Sequence, residues 1–497
     1  MSESNGELEM AAMKPITYTL YYGTFIHTPR LGELKICLKT LVGVNEQGAI
    51  DFIHENYIHD GQSVVEFFKL EYEKQGNQAD TSNMHYVDIS EDATKFFCPG
   101  FVDTHIHASQ YPNVGIGLGC PLLDWLKDYT YRLENGFTNP KDDECMKFAN
   151  DVYKKIIKKT LETGTTCASY FTTIDPHTTI LFADLLLKLG QRGFVGKVCM
   201  DSNDVFESYQ EDHEECVNSM KLIISYYEKN NPKGEDLIKP IVTPRFAPVC
   251  SLGLMEYLGS LAAEKELPIQ THISENHNEI ELVAKLFPEF DNYASVYDNF
   301  KLLNSSTILA HGIHLDEKER KLIKSRNCSI SHCPTSNTFI ASGEAPVKKY
   351  LYEDKINVSI GSDVSGGYSP SILEVIKQSI LVSHHLSIKT KDQSSFDPKL
   401  SVADVIYMAT QAGAKAVGLD NVIGSFEIGK RWDAQLINLN SANSNIDIFP
   451  CNIPDVNNID KDTETTILNL LGKWIFCGDD RNCVMVWCNG RLVINKQ

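Results

Sequence analysis

The segment Phe101-Val-Asp-Thr-His105-Ile-His107 begins apolar and β-prone and ends in two histidines spaced i, i+2. On a strand, that spacing points both imidazoles to one face, which makes half of a metal site. Three later patches carry the same signature: Gln270-Thr-His272-Ile-Ser-Glu275, Leu309-Ala-His311-Gly and Ile360-Gly-Ser-Asp363. Each follows a short apolar run and ends in a ligand-type or proton-carrying side chain. One H-x-H alone is often no more than a polar strand terminus. Four patches at expected strand ends are hard to explain as packing, and they read as a metal-dependent hydrolase.

His105, His107 and His272 would supply three nitrogens and Asp363 a carboxylate oxygen. An N3O set with a position left open is the arrangement of catalytic zinc, although iron or another divalent metal suits the same donors. Glu275, three residues beyond His272, is placed to carry a proton between water and substrate. Its alternative is to open the next helix, where a negative charge suits the dipole. His311 is a candidate to hydrogen-bond the attacking oxygen or a developing oxyanion, and Asp363 could accept a proton as well as ligate. His332, at another strand end, is a second-rank pocket candidate. His314 reads as a surface or helix-capping residue, and His384 and His385 read as structural.

The elements that must position these residues show in the apolar patterning. From Gly100 to about Gly424, eight β-rich runs (101–107, 165–171, 193–200, 240–246, 267–274, 307–311, 328–333 and 357–362) alternate with amphipathic segments. The runs are apolar without strict alternation, which suits parallel strands buried on both faces. Helices are expected over 143–162, 178–189, 251–266 and 403–417, the last behind a capping box at Ser401 and Asp404. Eight strand–helix units predict an α/β chain with a (β/α)8 barrel over 99–424, and such barrels keep their chemistry at the C-terminal strand ends. Residues 1–98 and 425–497 carry alternating β segments, with Asn489-Gly490 as a hairpin signal. They predict a small β-sandwich domain formed by both chain ends. The polar stretch 440–462 reads as a surface loop.

Composition narrows the class. Hydrophobic residues make up 42% and charged residues 23% of 497, which is ordinary globular usage. With 46 Lys and Arg against 66 Asp and Glu, the net charge of −20 disfavours nucleic acid or an anionic membrane surface as partner. No secretory signal or membrane-spanning run is expected. The 14 cysteines are scattered and form no C-x-x-C, which reads as free thiols in a reducing cytoplasm.

PGFVDTHIHASQYP (99–112), TPRF (243–246), HISEN (272–276), AHG (310–312), SHCPTSN (331–337) and GSDVSGGYS (361–369) resemble the amidohydrolase superfamily and, within it, the guanine deaminases. PLLDWL (121–126), GKVCMD (196–201) and NYASVYD (292–298) add to that likeness, which covers nearly the whole chain. The resemblance implies one zinc per subunit at His105, His107, His272 and Asp363, a proton shuttle at Glu275, and a catalytic His311. It also implies purine contacts from Gln110, Arg245 and Phe246, with Arg245 suited to a carbonyl oxygen. Superfamily members with two metals bridge them through a modified lysine on the fourth strand. Here that run offers only Lys239, at the wrong end, which favours one metal. The implied activity is hydrolytic deamination of guanine to xanthine and ammonia by a cytoplasmic homodimer. The rivals are a deaminase or chlorohydrolase acting on another heterocycle, and a non-catalytic barrel, although this chain keeps every ligand. The smaller zinc deaminases are excluded, because His213-Glu-Glu215 has no P-C-x-x-C to accompany it.

Overall fold

The computed structural model describes residues 18–57, 63–77, 83–204, 206–230, 237–390, 396–454 and 461–497. The two chain ends meet in one eight-stranded sheet. Tyr18–Arg30, Glu33–Asn45 and Ile50–His54 form an antiparallel meander. Lys95–Pro99 then pairs antiparallel with Ala434–Asn438, which continues through Cys483–Cys488 to Arg491–Asn495. Met84–Asp88 lies parallel to the first strand. The final hairpin turns on Asn489 and Gly490, both at positive φ (54° and 80°), as the N-G signal requires. Tyr21, Phe25, Phe97, Trp432 and Trp487 pack on this sheet as an aromatic cluster, with Tyr21 stacked on Trp432 at 4.2 Å between ring centroids. Two helices the β patterning did not reveal, Val64–Lys74 and Lys461–Cys477, also lie in these flanks.

Between the flanks run parallel strands. Phe101–His107, Thr165–Phe171, Arg192–Gly196 and Ile238–Pro240 form one four-stranded sheet, and Ile269–Ile273, Thr307–His311, Ser329–His332 and Asn357–Ile360 form another. Between them lie the short pair Val198–Cys199 and Thr243–Pro244 and the bridge Val242 to Ile269. The expected runs 193–200 and 240–246 are therefore each broken in two. Hydrogen bonds also join the far edges: Asp363 N–H to His105 O at 2.8 Å and His107 N–H to Val364 O at 3.1 Å. Below them, Thr104 Oγ1 donates to Ile360 O at 2.9 Å and meets the hydroxyls of Ser331 and Ser359. Phe101–His107 and Thr165–Phe171 are buried at every residue, as strands covered on both faces must be.

The connecting helices begin where capping chemistry sets them. Asp142, Asp175 and Ser251 each accept a backbone N–H at the start of Asp143–Glu162, Pro176–Leu189 and Leu252–Lys265. The expected helix 403–417 is instead two, Val402–Ala409 and Gln411–Ala416. Thr410 separates them: its backbone (φ −127°, ψ −88°) leaves the helical region, and its hydroxyl bonds back to Ile406 O at 2.6 Å. Among the described residues no helix is long and apolar enough to cross a membrane, and the cysteines are unpaired thiols.

Candidate metal centre and its cavity

His105 and His107 stand at the C-terminal end of their strand with both rings on one face, 5.0 Å apart. The neighbouring strand ends bring His272 and His311, and the loop after Asn357–Ile360 brings Asp363. His311, Asp363 and Ser274 all take left-handed backbone conformations (φ 70°, 45° and 49°), a strain that accumulates at sites where side chains must be aimed. One donor atom each from His105, His272, His311 and Asp363 lies within 4.8 Å of the other three. His107 belongs to the same group, with Nε2 3.2 Å from His272 Nε2 and 3.4 Å from Asp363 Oδ1. His105 Nε2 is 3.1 Å from that same oxygen.

These separations test the fit of a metal. Tetrahedral bonds of about 2.0–2.1 Å put ligand atoms roughly 3.3 Å apart, and the distances among His105, His107, His272 and Asp363 cluster there. The tautomers agree as well. His272 Nδ1 donates to Arg245 O at 2.5 Å, which leaves the lone pair of Nε2 facing the other donors. His105 Nε2 is buried without a hydrogen-bond partner among the described residues, which a buried polar atom rarely is. The group is able to hold a metal ion.

The electrostatics support neutral imidazoles around one anionic carboxylate. Burial, with the neighbouring imidazoles, holds His107 and His272 well below the usual histidine range. Burial alone would raise the Asp363 carboxyl, but His105 above all, then His311 and His107, hold it below the usual carboxylate range. Glu275 goes the other way. Burial, then the charges of Asp363 and Glu279, pushes it well above that range, so it retains a proton where other carboxylates have lost theirs. Its Oε2 faces His311 Nε2 at 3.4 Å, while His311 Nδ1 donates to Asn337 Oδ1 at 2.9 Å.

A cavity opens above these groups, lined at its apolar side by Leu122, Trp125, Leu126, Phe246 and Ile340. Gln110 and Arg245 line its polar end, and both grip Glu134. Arg245 Nη1 and Nη2 lie 2.6 and 3.2 Å from its two oxygens, and Gln110 Nε2 lies 2.8 Å away. His107, Gln110, Arg245, Phe246, His272, Glu275, His311 and Asp363 line the cavity, and His105, not itself a lining side chain, reaches Asp363 Oδ1 at 3.1 Å. His332 is buried, its ring held near a pKa of about 3 by burial, and it does not line the cavity. His314 donates to Ser342 O and stacks on His277 at 3.9 Å, and His384 and His385 are exposed.

Three buried residues at this site escaped the sequence reading. Glu134 sits on the short helix Tyr131–Asn135, where it passes for a surface charge. Tyr209 donates to it at 2.6 Å. Glu279 accepts the backbone N–H of Glu275 at 2.9 Å and the hydroxyl of Tyr293, and its place one turn into Asn276-His277-Asn278-Glu279 gave a capping signal that would have found it.

The sequence pattern described as the amidohydrolase family matches residues 96–493. A probable guanine deaminase of Schizosaccharomyces pombe is 42% identical over 478 residues, 96% of this chain and 84% of the relative. The guanine deaminase of Homo sapiens is 38% identical over 484 residues, covering 97% and 98%. Among solved structures, the guanine deaminase of C. acetobutylicum with bound guanine superposes with a TM-score of 0.79 at 32% identity, covering 96% of this chain and 100% of that one. With these matches and a donor set suited to a metal beneath a cavity, the chain belongs to the amidohydrolase family, in its guanine deaminase branch.

Proposed function

We propose that this chain removes the exocyclic amino group of guanine by hydrolysis, giving xanthine and ammonia. The observation that carries the reading is the pairing of the His105–His107–His272–Asp363 donor set with the Arg245–Gln110 end of one cavity, in a chain whose relatives include a structure with guanine bound. His107 is the fourth ligand rather than His311, because it shares Asp363 Oδ1 with His105, whereas His311 faces the other oxygen, Oδ2, at 3.7 Å. One zinc ion per subunit, held there, supplies the Lewis acidity that makes water nucleophilic near neutral pH.

The protein's own groups do the rest. Gln110 and Arg245 hold the base, Arg245 donating to its carbonyl oxygen, while Phe246 borders the ring. Water oxygen bonds to C2 with one proton passing through Glu275 to the adjacent ring nitrogen. The remaining proton of the new hydroxyl passes to the amino nitrogen, the C2–N bond breaks, and ammonia leaves as C2 becomes a carbonyl. Glu275 suits the relay because its raised affinity for protons lets it both hold and return one. His311 and Asp363 orient the attacking oxygen and pass the second of its protons on to the amino nitrogen.

On the same reading the parallel strands of 99–424 form one (β/α)8 barrel, carried beside a small β-sandwich domain from 1–98 and 425–497. The hydrogen bonds from Asp363 and Val364 to the His105–His107 strand support that closure. A homodimer working in the cytoplasm is part of the same proposal. Incubating purified protein with guanine, and following both absorbance and ammonia, tests the activity. Absence of turnover with a full metal complement overturns it.

A further inference from the structure

Glu134 has no accessible surface and stands behind Arg245 and Gln110, which line the cavity while it does not. Oε2 accepts from Arg245 Nη1 at 2.6 Å and from the Tyr209 hydroxyl at 2.6 Å. Oε1 accepts from Arg245 Nη2 at 3.2 Å and from Gln110 Nε2 at 2.8 Å. Four donors occupy the acceptor sites of a carboxylate in full, so Glu134 has nothing left to offer a substrate. Whatever it does at the site, it does through Arg245 and Gln110.

Its grip has two effects. The first is geometric. The two-point contact fixes the plane of the guanidinium and leaves three of its five N–H groups for other acceptors. Gln110 is fixed with its amino end on Glu134 and its carbonyl accepting Ser365 N–H at 3.2 Å. The second effect is on charge. An unpaired guanidinium buried this deeply would draw any anion that fits. Glu134 cancels that charge, and the phenols of Tyr131 and Tyr209, both made weaker acids first of all by burial, add none. Arg245 also lies over the Tyr131 ring, 5.0 Å from its centroid. The polar end is therefore rich in directed hydrogen bonds and carries no net charge.

We infer that Glu134 is a positioning and charge-cancelling residue that sets this end of the cavity for an uncharged purine and against an anionic one. Guanine is neutral, whereas xanthine is the stronger N–H acid and ionises in mildly alkaline solution. The same carboxylate thus helps to hold the substrate and to release the product. The inference rests on the guanine reading above.

Glu134→Gln keeps the shape and removes the charge. The expected result is a KM for guanine raised about tenfold with kcat changed less than about threefold, and metal content unchanged. At mildly alkaline pH the inhibition constant of xanthine should fall by about tenfold. The opposite directions matter, because a merely structural lesion would weaken both ligands together. Glu134→Asp, which restores the charge, should bring xanthine inhibition back towards wild type. If Glu134→Gln does not fold, Tyr209→Phe serves: it loosens the carboxylate without changing charge, so KM should rise a few-fold with xanthine inhibition unaltered. Parallel weakening of guanine and xanthine, or no change in either, overturns the inference. Should the wild type fail to turn over guanine, the functional reading fails by itself. Calorimetric binding of guanine and xanthine to wild type and variant then still decides the role of Glu134.

Discussion

The ring of His272 rests on the backbone of Arg245, with Nδ1 2.5 Å from the Arg245 carbonyl oxygen. One residue thus touches both halves of the site: its main chain orients an imidazole of the donor set, and its side chain, held by Glu134, lines the cavity. Because the carbonyl survives any substitution at 245, the two halves can be separated by mutation.

Arg245→Ala should leave metal content intact while lowering kcat/KM for guanine by about 2–3 kcal/mol in transition-state stabilisation. A site built to donate to a carbonyl also rejects bases lacking one, so adenine should be a poor substrate of the wild type. Steady-state kinetics with guanine, adenine and cytosine, alongside elemental analysis, checks both points. Wild-type turnover of adenine equal to that of guanine would refute the assignment.

His272→Ala removes a nitrogen whose lone pair is already aimed at the other ligands. Most of the metal and all measurable turnover should be lost together. Elemental analysis of the dialysed variant gives the answer, and full occupancy would mean that the ligand set is wrong.

Glu275→Gln preserves the side-chain shape but cannot carry a proton. Metal should remain bound and kcat should fall by roughly two orders of magnitude or more. Near-normal kcat, or loss of the metal, would contradict a relay role.

Away from the cavity, His27 gives a pH test of the chain-end sheet. Its Nδ1 accepts the Phe426 N–H at 3.2 Å, and burial lowers its pKa from 6.5 to about 4. Above pH 6.5 the folded and unfolded chains are both neutral at this residue. As pH falls from 6.5 towards about 4, the unfolded chain binds a proton that the folded chain resists, so stability is lost across that window, by up to about 3 kcal/mol. Thermal unfolding at pH 7 and pH 5 should show a steeper acid loss for the wild type than for His27→Gln. Equal slopes would remove His27 from the account.

The convergence of His105 and His107 was legible in the sequence because strand periodicity is strict: they cannot share a strand end without sharing a face. Most of the parallel runs were legible because doubly buried strands lack polar alternation, although 193–200 and 240–246 each proved to be two short strands. Thr410 was not, because an amphipathic pattern runs on across a break made by a local backbone bond. Glu134 was hidden more deeply. Its partners Gln110, Tyr209 and Arg245 lie in three different segments, and no spacing rule links them. Arg245 was expected to contact the base, and the carboxylate paired with it can be seen only once the chain has folded.

The pairing of Lys95–Pro99 with Ala434–Asn438 also sets a timetable for synthesis. The meander Tyr18–His54 and the Lys95–Pro99 strand leave the ribosome more than three hundred residues before the strand that covers their open edge. Until then they present unpaired backbone groups and a face of Tyr21, Phe25 and Phe97 without Trp432 or Trp487 to cover it. Such an edge invites pairing with another chain. Nascent or truncated chains should therefore depend on chaperones in a way that the finished protein does not.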